Sequence, residues 1–83
     1  MRTYKIVKID WDDSAMHGGW RPESHAREYS PGKCVSGGIL VRTKPGSVGV
    51  THSIGESAVC DTIVIPRKAI RSIEVLSTFK VGK

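Results

Sequence analysis

Residues 34 to 54 read CVSGGILVRTKPGSVGVTHSI, and the fold turns on them. The run from Cys34 to Thr43 is rich in β-branched and aliphatic residues but is interrupted by Gly37-Gly38. A glycine pair inside a strand signals a bulge, a sharp bend or a close backbone approach. Lys44-Pro45-Gly46-Ser47 then puts proline and glycine at the two central positions of a turn, as a type II turn wants them. The segment after it, Val48 to Ile54, should return antiparallel. A bent strand followed by a hairpin is what a curled sheet needs.

Upstream, TYKIVKIDW from Thr3 alternates so that Val7, Ile9 and Trp11 share one face and Tyr4 and Ile6 the other, the period of a strand. Trp11 is therefore a core residue by phase. Downstream, GESA makes a second turn into VCDTIVI. Pro66 ends that strand because it has no N–H to give the ladder, and a last strand begins at about Ala69. The inventory is five short strands. It predicts an all-β domain, a small partly open barrel of the SH3 or Sm type, spanning residues 1–83 as one unit. At this length only roughly 60% of the unfolded chain's surface is buried, so one modest core is expected. The tail FKVGK is expected to fray.

The exception to the strand pattern is a long loop, residues 13–33, polar and turn-rich. Within it RPESHAREY has the makings of a short helix, with Pro22 in its first turn and Glu23 near its N-terminus. A loop this long in so small a domain is more often a contact surface than a neutral connector.

Thirteen Lys and Arg stand against eight Asp and Glu, a net charge of +5 and a pI of about 9.6, which favours an anionic partner. Much of the excess lies in the last quarter, where Arg67, Lys68, Arg71, Lys80 and Lys83 face Glu74 alone. Two clusters are candidate ligand-binding residues. Arg67, Lys68 and Arg71 follow the Pro66 kink and either contact phosphate or form a solvated edge that discourages aggregation. Trp20 and Arg21, in HGGWRP, either stack on a base and supply charge, or Trp20 folds back as a lid over the barrel's open end.

Other constellations carry less. Asp10, Asp12 and Asp13 with Ser14 read as turn and cap chemistry, because strand geometry keeps the three carboxylates from converging. Cys34 and Cys60 have no Cys-x-x-Cys spacing and no zinc-type spacing to His17, His25 or His52, so they are expected to be buried small apolar residues. His52, in phase with Val48, Val50 and Ile54, is expected to be a buried barrel histidine. No metal, no cofactor and no catalytic activity are expected. No apolar run reaches the length that spans a bilayer, and the charged, alternating N-terminus is unlike a signal peptide, so a cytoplasmic protein with no membrane association is expected.

The segment RKAIRSI after an apolar strand resembles the second motif of the bacterial Sm-like RNA chaperones. There a short basic turn followed by Ala-Ile opens the final strand and faces nucleotide across a subunit boundary. Across most of the chain, IDWDDS, GW, CVSGGILV and VIPRKAI together resemble uncharacterised small β-barrel proteins of bacteriophages. That resemblance implies origin in a mobile element and action inside a host bacterial cell. The expectation is a non-enzymatic protein that sequesters an anionic nucleotide, a sponge for an immune signal, with Trp20 and Arg21 meeting Arg67, Lys68 and Arg71 of a neighbouring subunit in a homo-oligomer. The alternatives are an RNA- or DNA-binding Sm- or SH3-like module and a protein-binding inhibitor or adaptor of a host factor.

Overall fold

The bend at Gly37-Gly38 organises the molecule. In the computed structural model, which describes residues 2–14 and 18–82, the elements run β1 (Arg2–Asp13), α1 (Glu23–Ala26), β2 (Gly32–Lys44), β3 (Ser47–Ile54), β4 (Val59–Pro66), a one-turn 3-10 helix (Arg67–Ala69) and β5 (Ile70–Val81). The five strands form one antiparallel sheet in the order β4-β3-β2-β1-β5. The domain is all-β, and the sheet curls without closing, so it is the partly open barrel that the strand pattern predicts.

The first half of β2 pairs with β1, from Asp13↔Gly32 to Ile6↔Ile39, and its second half pairs with β3, from Ile39↔Thr51 to Lys44↔Ser47. Ile39 alone has a partner on both sides. The strand thus leaves one neighbour for another immediately after the glycine pair. Gly38 permits it: a Cβ there would lie 2.9 Å from the Thr51 carbonyl oxygen and 3.3 Å from Val50 Cβ. Only a residue without a side chain lets β3 come so close.

The concave face holds the core. Val7, Ile9, Val48, Val50 and Ile65 are buried, with Trp11, Leu40, Ala69 and Ile70 packed against them. Trp11 is half-buried, and its Nε1 donates to Ser36 Oγ at 3.0 Å, so the indole is packed and its polar handle satisfied. Thr51 is the one buried polar residue among those described, and its hydroxyl donates to the Cys60 carbonyl at 2.6 Å.

Locally the chain departs from its pattern in several places. Gly46 does not take the positive φ that the third position of a type II turn requires, so the two-residue β2–β3 connection closes with different backbone angles. His52 is exposed, its Nδ1 2.8 Å from Ser53 Oγ, because β4 is an edge strand that covers little beyond Ile65. Cys34 is half-buried and Cys60 exposed, and both are free thiols. The tail does not fray at Phe79–Val81: these residues pair with Tyr4, Thr3 and Arg2, and the Phe79 and Tyr4 rings lie 5.9 Å apart. Lys83, the last residue of that tail, lies outside the described residues.

The long loop is an arm on the end of the β1–β2 hairpin. It leaves at Asp13 and returns at Gly32, which are paired. The short helix expected within it forms at Glu23–Ala26 with Pro22 as its N-cap, and it buries no residue. Every residue from 18 to 31 is exposed. The molecule measures 60 × 21 × 20 Å with a radius of gyration of 16.7 Å, where a compact chain of this length would have about 12 Å. No helix among the described residues is long and apolar enough to cross a membrane.

Candidate anion-binding site

The Pro66 kink does more than end a strand. Pro66 pairs with Ser47, which places the end of β4 beside the β2–β3 turn. The chain then makes its 3-10 turn, and Arg67 ties the two together: its backbone N–H donates to the Gly46 carbonyl at 3.0 Å and its Nε to the Lys44 carbonyl at 3.1 Å. On the neighbouring row of the sheet Arg42 pairs with Gly49, and its Nε donates to Ser47 Oγ at 2.9 Å.

Arg42, Lys44, Arg67 and Lys68 therefore gather around the β2–β3 turn, on two segments, 42–49 and 62–73, that contain no carboxylate. Both arginine side chains are held by Nε alone, and their terminal guanidinium nitrogens bond to no other described residue. A guanidinium fixed by Nε with its outer edge open is suited to a planar oxyanion, since two parallel N–H donors can meet two phosphate oxygens. Lys68 makes no ion pair with a described residue and adds a point charge.

Of the residues expected to bind ligand, Arg67 and Lys68 stand together here. Arg71 is turned elsewhere: its Nε donates to Asp12 Oδ1 at 3.0 Å, an ion pair that offsets its charge. Trp20 and Arg21 lie in the arm and bond to none of these cations within one chain, although the arm starts beside the 3-10 turn, which leads into the Ile70↔Trp11 pair. Arg21 Nε donates to the Gly18 carbonyl at 3.2 Å, and Trp20 touches so little that its relative exposure is 103%. The lid reading of Trp20 fails, because the indole covers no part of the barrel.

Arg42 and Lys44 are the site residues that sequence reading passed over. The cations flanking the KPGS turn were visible. What was not visible is the register that sets Pro66 opposite Ser47, and only that register brings the turn to Arg67.

The carboxylates of β1 are engaged. Asp10 Oδ2 accepts from Ser72 Oγ at 2.9 Å and lies 3.6 Å from Lys8 Nζ; Asp13 Oδ1 accepts from the Ser14 backbone N–H at 2.9 Å. No three metal-ligating side chains converge among the described residues. His17, a metal-ligand candidate by residue type, lies outside them.

Two open grooves mark the body. One, about 470 Å³, is lined by Thr3, Tyr4, Lys5, Leu40, Val41, Thr43 and Val59, where β1 and β2 diverge. The other, about 500 Å³, lies at the far tip of the β3–β4 hairpin between Arg2, Ile54, Gly55, Glu56 and Val81. Neither includes the four clustered cations.

No protein-family model, curated protein or solved structure matches this chain.

Proposed function

We propose that the protein is a non-catalytic binder of a phosphate-bearing nucleotide, which it holds on Arg42, Lys44, Arg67 and Lys68. The observation that carries this reading is the pair of arginines fixed through Nε around a carboxylate-free turn, with the outer edges of their guanidinium groups left open. Arg71 contributes to the fold rather than to the ligand. The resemblance of the strand pattern to small bacteriophage proteins extends the reading to a role: sequestering a nucleotide signal in the cytoplasm of a host cell.

A second reading is favoured by one feature. The basic turn is open surface, outside both grooves. Such a surface also suits the backbone of a nucleic-acid strand, for which a cationic track suffices.

Equilibrium titration with a labelled cyclic dinucleotide and a labelled single-stranded oligonucleotide, each at several salt concentrations, separates the two. A nucleotide binder takes the small ligand with a shallow salt dependence. A polymer binder takes the oligonucleotide with a steep one, because each phosphate contact releases condensed counterions. In either case the double variant Arg42→Gln/Arg67→Gln should weaken binding by about tenfold or more, the loss expected of charge-assisted hydrogen bonds. If neither probe binds, the reading is wrong.

A further inference from the structure

The arm carries a fully exposed tryptophan, and the body carries an unfilled groove. We infer that Trp20 of one copy packs into the Tyr4–Leu40–Val41–Val59 groove of a second copy, and that two copies exchange arms reciprocally. This contact is independent of any ligand at the cationic turn.

The groove exists because β2 leaves β1. Beyond Ile6↔Ile39 the strands separate, so Arg2–Lys5 have a strand partner only in β5, and Val41–Lys44 run with β3 alone. Two strand edges thus face a partly apolar space of about 470 Å³ with no strand between them. That is room for an indole, and the unpaired backbone on either side can take an extended segment by strand addition. Val59 and Val41 on its wall are 50% and 37% exposed.

The occupant follows from chain reach. The groove lies at the Thr3–Lys5 end of β1 and the arm leaves from the other end, at Asp13. Along a strand, Asp13 and Tyr4 are about 30 Å apart. Trp20 is seven positions after Asp13, a span of at most about 25 Å when fully extended. The chain is not fully extended there, since Gly19 has φ 81° and Arg21 Nε bonds back to the Gly18 carbonyl. A chain's own Trp20 does not enter its own groove, since its indole is fully exposed. Two copies side by side with β1 antiparallel place the arm end of each beside the groove end of the other, and both contacts then form at once under one two-fold axis.

The surface area asks for the same thing. The chain exposes 6339 Å², about 30% more than the roughly 4,900 Å² expected of a folded monomer of its mass. The excess exceeds the roughly 800 Å² that each partner gives to an interface of standard size.

The test is a mixing experiment read by analytical ultracentrifugation. Wild-type protein should sediment as a dimer. Trp20→Ala keeps the groove and loses the knob; Val41→Glu keeps the knob and spoils the groove. Each variant alone should be monomeric, its self-association weakened roughly thirtyfold or more, as for a hot-spot residue. Mixed, they should form a heterodimer, because Trp20 of the Val41→Glu chain meets an intact groove on the Trp20→Ala chain. In a Trp11→Phe background the emission of Trp20 should shift to the blue as concentration rises. A wild-type monomer at every concentration overturns the inference. So does a dimer that Trp20→Ala leaves intact, and that variant will fold because Trp20 packs on nothing. Two monomeric variants that fail to associate when mixed also overturn it.

Discussion

Similar side chains in this protein do different work according to what they touch. Arg67 and Arg71 lie four positions apart and look alike in the sequence. Arg67 bonds to a backbone carbonyl through Nε, which leaves its charge uncompensated; Arg71 meets Asp12. Arg71→Gln is therefore expected to leave nucleotide affinity nearly unchanged and to cost about 1 kcal/mol or less of stability, the worth of a partly exposed ion pair, while Arg67→Gln lowers affinity. Parallel titration and chemical denaturation of the two variants measure this. Gly38 is the other residue whose identity is dictated. Gly38→Ala drives a methyl against the Thr51 carbonyl and should cost about 1–3 kcal/mol by urea unfolding, the range for overpacking. That glycine was legible beforehand, since a strand of β-branched residues loses stability by holding a glycine pair unless the backbone must bend or approach closely there. The role of Arg71 was not, because the partner that decides it is 59 positions away in the sequence.

Among the elements, β4 is the edge strand on which the candidate site depends. It pairs only with β3, and Ile65 is its sole buried residue. Ile65→Ala should cost about 2–5 kcal/mol, a large share of the stability of so small a domain. It should also weaken nucleotide binding, since Ile65 lies just ahead of Pro66 and Arg67. Hydrogen exchange is expected to show amides of the edge strands β4 and β5 protected less than those of β1, β2 and β3, each of which is flanked on both sides. Strand identity and order of appearance were readable from alternation and turn residues. The turn type and the exposure of His52 were not. Alternation tells which face a residue shares, but not whether a neighbouring strand covers that face, and at the edge of an open sheet nothing does. The continuation of β5 through Phe79–Val81 was missed for a related reason: a terminus is held by its partner strand, here the Arg2–Tyr4 end of β1, which local sequence does not announce.

Taken as one object, the chain divides into a barrel that carries charge at the turn Arg67 holds and an arm that carries a fully exposed tryptophan. The long loop was recognisable from its length and composition as a departure from the strand pattern. Where it lies relative to the cationic turn was not, because that depends on where a bent sheet leads each strand. The functional reading stands on phosphate binding at the turn that Arg67 holds, beside Arg42 and Lys44. The decisive comparison is the affinity of a labelled cyclic dinucleotide for three proteins: wild type, Arg42→Gln/Arg67→Gln and Arg71→Gln. Wild type and Arg71→Gln should bind alike, with a loss of about tenfold or more in the double variant. Equal binding by all three, or a loss confined to Arg71→Gln, would refute phosphate binding at that turn.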